Sequence, residues 1–256
     1  MIPSTLASAI DLAAPSWRPI LLRGLEAMAV ADPSYLPALM QDEFLPTDGR
    51  LFAAFTQPLE AVCYVLVGEG PYPREQSATG VCFMDGAVDA LWSSAGLSKP
   101  VNRATSLRNF MKMLMVADGL LMPDATGGEA VAEVAHRALA ADSTFIQTLP
   151  ELQHKLHAQG FLLLNAALVF RPHVPPVKEA KAWRPFLEVV LEALASRAGQ
   201  PPPTLVLWGK IAGWLDGLPT VDHFPRAVAE HPYNLTFIQN KDMQQLFGPM
   251  HLLQAR

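Results

Sequence analysis

The sequence predicts an α/β fold, a three-layer α/β/α sandwich with a central, mostly parallel four-stranded sheet. Two observations predict it. Four short apolar runs recur along the chain, and helical patterns lie between them. Near-continuous apolar strands suit a sheet covered on both faces. The third support is size. The 256 residues are 50% hydrophobic and 17% charged, ample for a full core, and 1–256 reads as a single domain.

The first strand is expected over 61–67 (AVCYVLV), which is β-branched and stops at Gly68. The second covers 161–164 (FLLL) and ends at Asn165, and the third covers 204–207 (TLVL) and ends at Trp208-Gly209. A weaker fourth, RAVA at 226–229, ends before His231-Pro232. Helices are expected over 106–117, with Ser106 as a candidate cap, and over 129–141, 183–197 and 242–254. The proline clusters at 175–177 and 201–203 read as loops rather than domain linkers. Met111, Met113 and Met115 read as core packing.

Composition excludes several classes. Cys63 and Cys82 are too few for a disulfide framework, a four-cysteine zinc site or a four-cysteine iron–sulfur cluster. Both lie in apolar sequence, which suits a reducing compartment. His154 and His157 are three apart with no third ligand, so they read as a solvated helix face and no metal is expected. Asp11, Pro15 and Arg18 interrupt the amino end long before the roughly 18 apolar residues of a spanning helix. No basic start leads into an apolar run, so no secretory leader is expected. The reading is a soluble cytoplasmic protein with no membrane partner. A formal charge of −5 argues against coating nucleic acid by bulk charge, but permits a local basic strip.

Right-handed crossovers would bring the carboxyl ends of the strands to one edge, where ligands bind in open α/β sheets. Three unusual polar segments follow three of the strands: GEGPYP (68–73), Asn165 and HPYNLT (231–236). They are expected to converge on one crevice. The first is a tight loop that lets a ligand approach backbone, or else a plain surface turn. It lacks the Lys-Ser/Thr of a phosphate loop. Asn165 carries both donors and an acceptor, so it can read a planar amide-like edge such as a nucleobase. Capping the next turn is its alternative. Phe83 by itself reads as core, and His231 by itself as structural.

Taken in order, GEGPY, ATGVCF, SLRN, LLLN, LWG and HPYNL resemble the uracil-DNA glycosylase superfamily. The likeness is greatest to the family-1 enzymes, whose motifs run GQDPYH, AHGLAF, SLxN, LLLN, LWG and HPSPL. The match is colinear from about 46 to 235, and LFAAF at 51–55 is similar to the family's segment before its first strand. The resemblance implies an α/β/α sandwich that hydrolyses the N-glycosidic bond of deoxyuridine flipped out of DNA. It implies that Phe83 stacks on uracil, Asn165 hydrogen-bonds its pairing edge and Tyr72 blocks the 5-methyl of thymine. His231 would stabilise the departing uracil anion. Leu235 would wedge into the vacated space, and Ser106 would hold phosphate. DNA containing uracil is the implied partner, and a cofactor-free monomer the implied form.

Departures accompany the likeness. Gly70 stands where the family has its water-activating aspartate, and Pro73 where it has histidine. Tyr233 and Asn234 replace Ser and Pro, one proline (Pro100) precedes SLRN, and the stretch 121–149 is long for the family. Loss of a general base removes about 10²–10⁴ in rate, so a slow or an inactive enzyme is expected. The family's iron–sulfur branch carries GEAPG, also without the aspartate, but this chain lacks that branch's cysteines. Glu69 either aligns water or hydrogen-bonds its own loop. Lys99, Arg103, Arg108, Lys112, Lys178, Lys181, Lys210 and Lys241 either line a DNA groove or are ordinary surface. A non-catalytic DNA- or protein-binding relic of the fold is the competing function. An unrelated α/β protein binding a small nucleotide is a third.

Overall fold

The computed structural model describes residues 2–255. The strands in chain order are β1 (Tyr64–Gly68), β2 (Trp92–Ser93), β3 (Gly96–Leu97), β4 (Phe161–Asn165), β5 (Thr204–Trp208) and β6 (Arg226–Ala229). The helices are α1 (Ser4–Ile10), α2 (Arg18–Ala31), α3 (Tyr35–Leu39), α4 (Lys99–Arg103), α5 (Thr105–Ala117), α6 (Gly128–Ala138), α7 (Leu149–Ala158), α8 (Pro176–Ala195), α9 (Ile211–Leu215) and α10 (Lys241–Phe247). The central sheet has the order β4-β1-β5-β6, and helices flank it. β1 runs parallel to β4, with Gly68 level with Asn165, and parallel to β5. Leu205 N–H bonds Pro225 O and Gly209 N–H bonds Ala229 O, so the contacts advance together along β5 and β6, as parallel strands require. The expected four-stranded parallel sheet is the one observed.

The chain groups into two compact units. One comprises Met1–Gly86, Gly160–Leu207 and Ile211–Arg226; the other comprises Ala87–Gln159, Trp208–Lys210 and Ala227–Arg256. In the first, alternate sheet residues Val65, Val67, Leu162, Leu164, Leu205 and Leu207 belong to one core with α2 and α8. The intervening Leu66, Leu163 and Val206 are buried too, which is why these strands read as unbroken apolar runs. Phe52, Phe55, Trp183 and Phe186 pack ring against ring at 5.2–6.3 Å. Burying each such side chain stabilises the fold by about 1.5–3 kcal/mol. Gly24 lets α2 approach this cluster, because a Cβ there would lie 2.5 Å from the Phe186 ring.

In the second unit, Phe110, Trp208, Phe237 and Phe247 form a second aromatic set at 5.1–6.3 Å. Met111, Met113 and Met115 are fully buried, as expected. The long 121–149 stretch has a packing role. Its α6 lies against the β2–β3 hairpin, and Trp92 Nε1 donates to Ile146 O at 2.7 Å.

Several boundaries move for local reasons. The first strand starts at Tyr64 rather than 61, because Leu59–Ala61 winds into a 3₁₀ turn and Cys63 N–H bonds Gly160 O. The helix expected at 183 begins at Pro176, where proline is preorganised for a first turn, and it carries Pro185 inside. The helix expected over 242–254 stops at Phe247. Pro249 disfavours continuation, a 3₁₀ turn follows, and His251 takes φ +45°. Ser106 is not a cap. It sits inside the first turn of α5, whose N-cap is Ala104, while Ser98 caps the preceding α4. Cys63 is exposed, contrary to its apolar sequence context, and Cys82 is buried.

Candidate functional site

The predicted residues fall into two clusters, one in each unit. The first gathers around the carboxyl ends of β1 and β4. Asn165, the last residue of β4, is 5% exposed, and its side-chain amide has no hydrogen-bond partner among the described residues. Its amide atoms are not among those sealed from solvent without a partner, so water or a ligand can complete them. Its alternative, capping the next turn, is not what the side chain does. Gly68 explains how the amide fits: a Cβ there would lie 2.5 Å from Cys82 Sγ and 2.8 Å from Asn165 Oδ1. Glycine therefore opens the space in which the amide oxygen sits. The first loop is tied to the segment after Asn165, because Ala166 N–H bonds Gly68 O at 2.7 Å and Ala167 N–H bonds Glu69 O at 3.2 Å.

Phe83 lies on a loop attached to the same strand through Cys82 N–H to Leu163 O at 3.0 Å. Its φ of +67° is left-handed, which costs a bulky residue about 1–3 kcal/mol and marks functional positions. Thr79 offsets that strain. Its hydroxyl donates to Met84 O at 2.9 Å and accepts from Val81 N–H at 3.2 Å. Phe83 is thus half-buried on a strained, braced loop rather than in the core. Cys82 beneath it is fully buried, and burial pushes its thiol up to about 12. Tyr72 is half-buried. Burial, reinforced by nearby Cys82 and Asp85, holds its phenol protonated well above its ordinary range.

Gly70 is exposed, and a Cβ there meets only Ala167 O, at an ordinary 3.7 Å. Neither its backbone nor its space demands glycine. The missing carboxylate is therefore not a steric necessity. Glu69 is exposed, and its carboxylate has no hydrogen bond among the described residues, so it does not bind its own loop.

The second cluster is the turn 231–235. Asn234 N–H closes it onto His231 O at 2.9 Å. His231 Nδ1 accepts from Tyr233 N–H at 3.2 Å. An accepting Nδ1 carries no proton, so the neutral ring carries its proton on Nε2, as a donor. Gly209 lies behind this residue. It has φ +69°, and a Cβ there would lie 2.9 Å from His231 Cβ, so the LWG glycine serves both conformation and close approach. Leu235 opens a 3₁₀ turn with 68% of its surface exposed.

Sequence reasoning missed Asn109, the last residue of SLRN. It is fully buried on α5, and its Nδ2 donates to Pro232 O at 2.7 Å and Asn234 O at 3.3 Å. The signal was present in the motif, but only the contact reveals a brace for the histidine turn. Ser106 is half-buried near the start of α5, a 13-residue helix whose N-cap makes no side-chain hydrogen bond. Its first N–H groups are left to other partners.

Lys112 is not free for a groove, because its Nζ donates to Thr126 O at 2.7 Å. His157 is not a solvated face: it is half-buried, its Nε2 has no partner, and burial lowers its pKa. No group of three or more metal-ligating side chains occurs among the described residues. No helix among them is long and apolar enough to cross a membrane. A cleft of about 810 Å³, lined by Asp42, Phe44, Leu45, Glu75 and Phe170 among others, holds none of the predicted site residues.

The fold is that of an α/β protein with a parallel central sheet, and one cluster of unusual polar groups lies at the carboxyl ends of β1 and β4. No family model matches the chain. It is 30% identical over 193 residues to a uracil-DNA glycosylase of Mycobacterium leprae, covering 75% of this chain and 68% of that protein. It is 29% identical over 237 residues to one from Nocardioides sp., covering 91% and 85%. The wild-type UNG crystal structure from Nitratifractor salsuginis aligns with TM-score 0.86 and 40% identity over 96% of this chain and 95% of that one. Mimivirus uracil-DNA glycosylase, at 16% identity and TM-score 0.55, shares the fold. The chain belongs to the uracil-DNA glycosylase family.

Proposed function

We propose that this chain excises uracil from DNA by hydrolysing the N-glycosidic bond of an extruded deoxyuridine, the first step of base-excision repair. The observation that supports it best is the Asn165 amide at the end of β4, in a residue only 5% exposed, which makes no hydrogen bond among the described residues. Its oxygen and NH₂ match the N3–H and O4 of uracil. Phe83 stacks on the base, and Tyr72 stands against C5 and excludes thymine's methyl. As the C1′–N1 bond breaks, the electron pair passes to the uracil ring, and the sugar becomes cationic. His231, whose Nδ1 accepts from Tyr233 N–H, donates from Nε2 toward the charge growing on O2. Water adds to C1′, and its proton passes to the departing uracil anion, which leaves as neutral uracil. Leu235 fills the vacated stack, and Ser106 with the α5 N-terminus holds a phosphate.

Gly70 leaves the water without the usual carboxylate, so stabilisation of the departing anion carries the rate and the enzyme is slow. The enzyme acts as a cytoplasmic monomer on DNA and needs neither metal nor organic cofactor. The test is incubation with single- and double-stranded oligonucleotides carrying one uracil, followed by alkali. Strand cleavage is expected, lost in Asn165→Ala and His231→Ala and raised about tenfold or more in Gly70→Asp. No cleavage at high protein concentration, with salt-sensitive DNA binding retained, would establish a non-catalytic relic instead.

A further inference from the structure

Within the first unit, the loop that carries Tyr72 is stitched to the loop that carries Phe83. The first turns back at Arg74, whose carbonyl accepts from Ser77 N–H at 3.0 Å and from Ala78 N–H at 2.9 Å. Ala78 then pairs with Asp85 as an antiparallel bridge, and Gly86 N–H bonds Ser77 O at 3.2 Å. The approach is close, because a Cβ on Gly86 would collide with Gln76 O. Across this seam Arg74 Nη2 lies 3.4 Å from Asp85 Oδ2. The pair is lopsided: the Arg74 side chain is 68% exposed and that of Asp85 only 8%. Removing the cation from so enclosed a carboxylate costs more than breaking a surface pair. Tyr72 stands two residues before Arg74, and Phe83 two residues before Asp85. Both charges also reach the Tyr72 phenol, which burial, Cys82 and Asp85 hold protonated and Arg74 works against.

Resting on the glycosylase reading, we infer that Arg74 is a positioning residue for base specificity: its ion pair with Asp85 latches the Tyr72 loop to the Phe83 loop and keeps the slot too narrow for a 5-methyl group. In that reading Phe83 lies against the face of the base and Tyr72 against its C5 edge, so the slot is bounded by side chains from two separate loops. Its width is then set by whatever fixes one loop to the other. The backbone bridge at 78 and 85 holds the far ends. The Arg74–Asp85 pair adds a side-chain tie two residues from each ring. Arg74 touches no base and acts through Tyr72. Losing the tie lets the Tyr72 loop move outward, which costs uracil little and admits thymine.

The test uses the full chain with Arg74→Gln, Arg74→Lys, Asp85→Asn and the double variant Arg74→Gln/Asp85→Asn. Free uracil and free thymine are titrated and followed by NMR of the protein amides, beside uracil excision from a single-stranded oligonucleotide. Hydrogen exchange over 68–86 is measured without ligand. The wild-type chain is expected to bind thymine at least about tenfold more weakly than uracil, and Arg74→Gln to close that gap to about threefold or less. Uracil affinity and kcat should stay within about threefold. Exchange over 68–78 should quicken, and Arg74→Lys should restore both exchange and discrimination. The double variant should do no more than Arg74→Gln alone, because both substitutions break one contact. Arg74 lies at the surface, so its variants serve even where Asp85→Asn fails to fold. An unchanged base preference in Arg74→Gln would overturn the inference, and so would an equal loss of both bases, which is what a merely structural role gives. A wild-type chain that binds uracil yet releases none would defeat the glycosylase reading alone, since the titration still tests Arg74. A wild-type chain that binds neither base would overturn both.

Discussion

The loop around Phe83 and the turn around His231 hold their side chains by different means. The first is held mostly by backbone and one hydroxyl: Cys82 N–H bonds β4, Thr79 bridges Met84 O and Val81 N–H, and Phe83 takes a left-handed φ. Its functional groups are buried or half-buried. The second is held by one side chain, Asn109, and by a glycine at its back. Its tips, Tyr233 and Leu235, stand in water. The first cluster is thus enclosed by its own backbone, whereas the second presents its side chains to solvent. A strained loop needs many short restraints, whereas a compact turn needs only its carbonyls fastened.

The comparison can be broken at the brace. Asn109→Ala leaves two carbonyls without their donor and is expected to destabilise the chain by about 1–3 kcal/mol. Excision should fall about tenfold or more, while inhibition by free uracil, which the proposal assigns to the Asn165 cluster, stays within twofold. Equal losses in both would show that the two clusters are not held independently. Denaturant titration beside inhibition kinetics reads both quantities.

Thr79→Val keeps the shape and removes the hydroxyl. The expected cost is about 1 kcal/mol of stability. Here the pattern should reverse, with free-uracil inhibition weakened severalfold. Retained inhibition would mean that Cys82 and the backbone suffice to hold Phe83.

The smallest expected effect concerns pH. In the first cluster, burial moves Tyr72 and Cys82 upward, away from neutrality. The second unit holds His157, which burial keeps below its ordinary 6.5. The unfolded chain then binds the extra proton first, so stability is full above about pH 6.5 and declines as pH falls from there toward the folded value. His157→Gln should flatten that decline in denaturant midpoints between pH 7 and 5. An unchanged slope would assign the acid sensitivity elsewhere.

Much of the architecture was legible because its causes are local. Four apolar runs stopped by Gly68, Asn165, Trp208-Gly209 and His231 marked the sheet and its binding edge. Asn165 stood out because an amide after three leucines must be satisfied or used. Other features depend on partners distant in sequence. Asn109 braces a turn more than 120 residues away. Gly209 is needed because His231 lies behind it, and Gly68 because Asn165 and Cys82 do. The left-handed φ of Phe83 follows from its loop's attachment to β4, not from any preference of phenylalanine.

By itself, then, the sequence determined the fold class, the order of motifs and the chemical types of the candidate residues, since periodicity and residue chemistry are properties of short stretches. Tertiary structure alone decided which glycines are obligatory and which asparagine holds the histidine turn. Those depend on distances of a few ångströms between segments that only folding brings together.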